Sequence, residues 1–157
     1  MSVHPKIIEA TKLDAEEIAG LYRTVWTPYR KEFPKELMDN RIPSPDAVAA
    51  SMDSNEYFVL RKGNKIVGVV RCQFPHGTCH LDRMVVHPEY RNQGVGRALT
   101  QYVIDLAKER GASKVWLDTT PALEEATNLY LSMGFREVGH FQKHYWGQDI
   151  KFYELLL

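Results

Sequence analysis

Apolar positions change their period several times along the chain, and each change marks the border of an element. The run "KIIEA", residues 6–10, predicts a short strand. In "LDAEEIAGLYRTVW" the period becomes helical, with Asp14 as candidate N-cap and Ile18, Leu21, Tyr22 and Val25 on the buried face. Pro28, Pro34, Pro43 and Pro45 then interrupt the pattern, leaving a broken helical region before "SPDAVAASM", where Ser44 or Ser51 serves a local turn. "EYFVLRKGNKIVGVVRCQF" carries β-branched and aromatic residues on both sides of a Gly-Asn turn and predicts a hairpin. "CHLDRMVV" predicts a third strand, whose alternation sets His80, Asp82, Met84 and Val86 on one face and Leu81, Arg83 and Val85 on the other.

From Gly94 the period is helical again, with Val95, Leu99, Val103 and Leu106 on one stripe and Gly111 closing the C-terminus. "SKVWLDT" reads as a strand, and Thr120 with Pro121 offers an N-cap and first-turn proline for a helix that stops at Gly134. "FREVGHF" and "DIKFYELLL" read as two last strands joined by an aromatic loop, "QKHYWGQ". The order is βα(α)ββ, then βαβα, then ββ: a mixed α+β chain expected to form one domain over residues 1–157.

The polar stretch between the third strand and the following helix carries the first chemistry. Arg91, Gly94, Gly96 and Arg97 lie within seven residues at a helix start. Glycine lets the backbone approach a ligand closely, and unpaired first-turn N–H groups face it with the positive end of the helix dipole. Such a start holds a pyrophosphate, dipole contacts of this kind being worth up to about 2 kcal/mol; a plain glycine cap with solvated arginines is the alternative reading. The nucleoside-triphosphate loop is excluded because no Gly-Lys-Ser/Thr follows. The dinucleotide fingerprint fails as well. Leu99 stands where its third glycine belongs, and seven residues separate Val86 from Gly94, whereas that fold needs the glycines in the tight turn leaving the strand.

Charge narrows the partners. Lys and Arg number 20 against 20 Asp and Glu, so the formal charge is zero and no overall field invites nucleic acid. No apolar run approaches the roughly 18 residues of a membrane span, and "MSVHPKIIEATKLD" lacks the basic-then-apolar order of a secretory leader; a cytoplasmic chain without membrane contact is expected. In that setting Cys72 and Cys79 are two packed free thiols, and this pair alone makes no metal site.

"RNQGVG", Arg91 to Gly96, resembles the Gln/Arg-x-x-Gly-x-Gly/Ala acyl-CoA loop of the GCN5-related N-acetyltransferase (GNAT) family, and "NLYLSMGF", Asn128 to Phe135, resembles a second segment of that family. With the element order, the resemblance covers about residues 57–140 closely and the first helix less closely. It implies the GNAT fold, a central mixed, mostly antiparallel sheet of about six to seven strands, splayed at the acyl-CoA crevice and flanked by about four helices. It also implies acetyl-CoA as acyl donor. Its pyrophosphate would lie on the backbone of Arg91, Asn92, Gln93, Gly94, Val95, Gly96 and Arg97, its pantetheine arm along main-chain groups of Val85 and Val86, with Asn128 beside it.

Tyr130 resembles the tyrosine that the family places near the sulfur. A phenol of pKa about 10 faces a thiol of pKa near 8.5, so full proton transfer is uphill by roughly 2 kcal/mol and stabilisation of the thiolate by a hydrogen bond is the expected role. The attacking amine must shed a proton that an alkylammonium holds with a pKa of about 10.4. His80 lies eleven residues before Arg91, where other family members carry an acidic base. His80 with Asp82 resembles the paired histidines of arylalkylamine acetyltransferases, the second being aspartate here. His80 is the candidate base acting through water, and Asp82 orients that water or holds the ammonium; a simple pair between the two is the plainer alternative. Glu56, Asp118 and Glu124 stay open as other carboxylates.

Family members diverge most in the first helical region and the last hairpin, which wall the acceptor cleft. Tyr22, Trp26, Tyr29, Tyr145 and Trp146 are therefore candidate acceptor contacts, core packing being the alternative for Tyr22 and Trp26. The expected activity is direct acetyl transfer to the primary amine of a small molecule. A protein or peptide N-terminal amine is the second reading, from a faint likeness in "HYWGQDIKFYEL", and a non-catalytic acyl-CoA sensor or interaction domain is the third. An apolar "FYELLL" edge would invite self-pairing, and the resemblance allows a homodimer.

Overall fold

The computed structural model of the protein describes residues 6–157; the first five residues of the stretch read for a leader lie outside them. Seven strands form one sheet in the order β1 (Ile7–Glu9), β2 (Glu56–Lys62), β3 (Lys65–Gln73), β4 (Cys79–Val86), β5 (Lys114–Thr119), β7 (Gln148–Leu156) and β6 (Arg136–Tyr145). Only the β4–β5 pair is parallel. The helices are α1 (Ala15–Trp26), α2 (Lys35–Arg41), α3 (Pro45–Ser51), α4 (Val95–Glu109) and α5 (Glu124–Ser132). There are five among the described residues instead of about four, because the proline-rich region folds as two separate short helices. Pro34 and Ser44 begin them, the Ser44 hydroxyl accepting from the Ala47 N–H at 3.1 Å.

Apolar side chains cover both sheet faces. Leu99 and Val103 of α4 pack with Val115, Leu117, Phe135 and Tyr153 on one side, while Ile18 and Tyr22 of α1 and Val48 of α3 pack with Val59, Val69 and Val85 on the other. Burying a side chain of this size contributes about 1.5–3 kcal/mol. A smaller cluster of Phe33, Leu37 and Met38 joins Trp26, Tyr29 and Leu123 beside α2. Gly68 brings α4 close to β3: a Cβ there would sit 2.6 Å from Val95 Cγ1 and 2.9 Å from Leu99 Cδ1.

The feature that shapes the site is in β4. Between the pairs Arg71↔Asp82 and Val69↔Val85, two residues of β4, Arg83 and Met84, oppose the single Val70, and Arg83 has φ +53°. This is a β-bulge, which bends its strand and raises its twist. β4 accordingly pairs with β5 only at Cys79↔Val115 and His80↔Trp116, and beyond Leu81 the two strands part. The bulge also corrects the expected strict alternation. Leu81, Met84 and Val86 all pack toward α4, whereas Val85 joins the α1 side, on which Asp82 meets Arg71.

Local expectations shift in four further places. Thr11, not Asp14, makes the capping contact: its hydroxyl accepts from the Leu13 N–H, while Asp14 returns the bond to the Thr11 N–H and accepts from Arg61. Thr120 caps only a turn, and α5 starts at Glu124 after Leu123. The aromatic loop is mostly strand, because Trp146 and Gly147, at φ +48° and +80°, close a two-residue turn between Tyr145 and Gln148. The "FYELLL" strand is not an edge: β7 pairs with β5 on one side and β6 on the other, so the argument for self-pairing through it does not hold. Cys72 and Cys79 are buried free thiols, and no described helix is long and apolar enough to cross a membrane.

Candidate active site

Two connected depressions follow from the parting of β4 and β5. An outer groove is lined by Val85, Val86, Arg91, Asn92, Gly94, Val95, Gly96, Arg97 and Asn128. An inner crevice between the strands is lined by Asp82 to Val85 of β4 and Leu117 to Thr119 of β5, with Tyr130, Trp26 and Arg41 around it. Met84, Val85 and Ala126 belong to both, so the groove runs into the crevice at the bulge.

The groove is mostly backbone. After the turn Pro88–Tyr90, Asn92 has φ +60° and Gly94 φ +79°, so the chain curls before α4 starts at Val95. Gly94 is the N-cap residue and has no side chain to satisfy the first-turn N–H groups, which are left to a ligand or solvent. Ala98 N–H is the first to close onto the helix, through the Gly94 carbonyl at 2.9 Å. Arg91 lines the groove and Arg97 reaches Ser132 Oγ at 2.8 Å across it. Gln93 is the exception among the loop residues: its side chain turns away to accept from Lys62 Nζ at 2.9 Å, leaving only its backbone for the groove. A cradle of free N–H groups flanked by two guanidinium groups suits a pyrophosphate, and the unpaired edge of β4 beside Val85 and Val86 suits an extended arm with amides.

Asn128 and Tyr130 diverge as two residues on one helix should. Asn128 is exposed in the groove, and Tyr130 is buried in the crevice, its ring edge-on to Phe135 at 5.6 Å. Burial raises the Tyr130 pKa well above the usual phenol value, with the Asp82 charge adding to the effect, and no hydrogen bond offsets it. The phenol is a proton-bearing donor at any working pH.

His80 and Asp82 are not paired with each other. His80 stacks on Trp116 with ring centroids 3.9 Å apart, its Nδ1 is 3.2 Å from Gln73 Nε2, and its buried Nε2 has no partner among the described residues. It stands behind the crevice, at the closed end where β4 still pairs with β5. Burial lowers its pKa, against the charges of Asp82 and Asp118, so the imidazole is neutral near pH 7. Asp82 lines the crevice and is gripped by Arg71, whose Nε donates at 2.7 Å and whose Nη2 donates to the second oxygen. Arg71 also donates to Ser51 Oγ at 3.2 Å.

The acceptor candidates separate. Tyr22 is 2 % exposed and donates its hydroxyl to the Arg83 carbonyl at 2.8 Å, so it braces the bulge. Trp26 lines the crevice, and Tyr29 lies 5.7 Å from it at the adjoining mouth. Tyr145 donates to Asp118 Oδ2 at 2.9 Å and reaches the crevice only through that residue, while Trp146 is exposed at its turn. Three arginines that sequence reasoning passed over, Arg41, Arg71 and Arg83, stand here instead. Arg83 donates to the Asn40 carbonyl at 2.6 Å and to Asn40 Oδ1 at 2.8 Å. Arg71 was within reach of a register argument, since it opposes Asp82 across the β3–β4 hairpin; nothing local marks Arg41.

The acetyltransferase (GNAT) family profile matches residues 18–135, three quarters of the chain, including every residue of the groove. The chain belongs to this family. Among its relatives, the Escherichia coli K12 [ribosomal protein bS18]-alanine N-acetyltransferase is 30% identical over 112 residues, 70% of this chain and 76% of that one. The mouse N-acetyltransferase 8B is 35% identical over 107 residues, 63% of this chain and 46% of that one, so this chain spans less than half the length of that relative. In fold, the PaiA N-acetyltransferase of Thermoplasma acidophilum, solved in complex with coenzyme A, superposes with a TM-score of 0.81 at 16% identity over all of both chains. The GNAT match stops before the β6–β7 hairpin, so Tyr145 and Trp146 lie outside what the family profile covers.

Proposed function

We propose that this acetyltransferase takes the acetyl group of acetyl-CoA and passes it directly to the primary amine of a small molecule. The observation that carries the reading is Tyr130, buried in the crevice with a hydroxyl that makes no protein hydrogen bond. A phenol kept there and left unpaired has a use as donor to a departing sulfur. Its raised pKa makes outright proton loss costly, so Tyr130 acts by donating a hydrogen bond to the thiolate.

Acetyl-CoA supplies the thioester. The first-turn N–H groups of α4 with Arg91 and Arg97 hold its phosphates, and the open edge of β4 and Asn128 direct its arm inward. The amine nitrogen bonds to the acyl carbon, the carbon–sulfur bond breaks, and the amine's proton leaves through water toward the neutral His80, which accepts at Nε2 in the tautomer that keeps its own proton on Nδ1, with the Gln73 amide turned to offer its oxygen there. Asp82, held in place by Arg71, holds the incoming ammonium or that water. The apolar cluster of Phe33, Leu37 and Met38 with Trp26 and Leu123 crowds one side of the crevice, which favours a small acceptor.

A protein α-amine is the second reading, favoured by the name and 30% identity of the E. coli relative. The test is CoA thiol release from acetyl-CoA with aryl amines, polyamines, aminoglycosides, amino acids and short peptides. Release with small amines and not with peptides supports the proposal; release with peptides alone transfers the assignment to the second reading. Tight acetyl-CoA binding with no release for any acceptor would overturn catalysis in favour of a sensor.

A further inference from the structure

The charges around the crevice do not cancel, and among its arginines Arg41 alone has no hydrogen-bond partner among the described residues. Two guanidinium groups, of Arg41 and Arg83, line it with two carboxylates, Asp82 and Asp118, and a third, of Arg71, stands behind Asp82. Arg71 is committed to Asp82. Arg83 is committed to the neutral carbonyl and side chain of Asn40, the residue before Arg41, and so pins the end of α2 against the bulge. Asp118 accepts from the Tyr145 hydroxyl. Arg41 is half-buried, lines the crevice, and has no hydrogen bond or ion pair among the described residues, although Asp118 and Asp82 are near enough to influence it.

We propose that Arg41 binds an anionic group of the acceptor, so that the acceptor is an amine that also carries a carboxylate, of the amino-acid class. An amino acid is a zwitterion, and the crevice presents both complements. Asp82 and Asp118 offer negative charge to the ammonium, while the planar fork of Arg41 matches a carboxylate with two parallel N–H···O bonds. A polyamine or an aminoglycoside would leave Arg41 facing cations. Apolar walls from Trp26, Leu37 and Leu123 suit an apolar side chain on the same molecule. The inference rests on the acceptor being small, as proposed above.

The experiment compares acids with their decarboxylated amines: phenylalanine with phenethylamine, leucine with isoamylamine, and methionine with 3-methylthiopropylamine. Turnover is read as kcat/KM, and binding of the N-acetyl derivatives of the same six compounds is read by calorimetry in the presence of CoA. A charge-assisted contact predicts that the acid of at least one pair is favoured by about tenfold or more in both readouts. In Arg41→Gln that ratio falls to about one, and in Arg41→Lys it is partly restored; because the ratio is taken within one variant, a general loss of stability does not produce it. Equal or better performance of the amines, or a ratio that survives Arg41→Gln, overturns the inference while leaving acetyl transfer in place. Absence of turnover with every amine, alongside acid-selective product binding that depends on Arg41, would retain the anion subsite and overturn the assignment of small-molecule transfer.

Discussion

The groove and the crevice are built by opposite means. In the groove the groups on offer are mostly main-chain N–H groups presented by a curled loop and the first turn of α4, with Arg91 and Arg97 beside them. In the crevice nearly every group is a side chain, brought from α1, α2, β3, β4, β5 and α5, and most are held by a partner on another element. Backbone geometry tolerates changes of side chain but not of φ, whereas a crevice of mutually braced side chains loses several functions when one is removed.

The sharpest way to break that contrast is to remove a brace. Arg71→Met leaves the Asp82 carboxylate, on a side chain only 16% exposed, without its cation. The expected loss of stability is about 3 kcal/mol, read by urea unfolding, and little change there would mean that Asp82 is solvated and the crevice loosely built. Next is Tyr130→Phe, which keeps the packing against Phe135 and removes only the donor. Turnover should fall about a hundredfold with KM for acetyl-CoA near the wild-type value; a rise in KM alone would move Tyr130 from chemistry to binding.

His80→Gln tests the base. Because burial lowers the His80 pKa below 6.5, the imidazole accepts protons at neutral pH and is lost as a base only as pH falls through that lowered value. Wild-type kcat/KM should therefore show an acid limb below 6.5, and the variant should lose both the limb and about tenfold in rate. An unchanged limb would remove His80 from the role of base. Smaller effects belong to the groove. Gly94→Ala forces an L-residue to φ +79° and should cost about 1–2 kcal/mol, read as weaker acetyl-CoA binding or a lower melting temperature. Gln93→Ala, whose side chain faces Lys62, should change acetyl-CoA affinity by less than about twofold if the backbone does the binding. A larger loss would show that side chains count in the groove as well.

The same contrast explains what could be read from residue order. The groove was legible because its parts are consecutive: Arg91 to Arg97 share one loop and one helix start, and the positive-φ glycine is itself the mark of that geometry. The hairpin, the α4 stripe and the strand order up to Val86 followed from period and turn residues alike. The crevice was not legible to that degree. His80 and Asp82 share a strand face with two residues' spacing, yet one stacks on Trp116 and the other meets Arg71, and both partners come from other strands. Residue order favours core packing for Tyr22 and leaves an acceptor contact open, and the bond to the Arg83 carbonyl decides for the core.

By itself, then, the order of residues determined the two periods, the glycine loop at the start of α4 and the likeness to one family, since each of these depends on neighbours within a few turns or strands. Tertiary structure alone decided where β4 turns from β5, which charges meet, and that Arg41 is left facing the crevice. A bulge at Arg83 has no signature in a β-branched strand, and ion pairs are chosen by distances between segments that the chain separates by tens of residues.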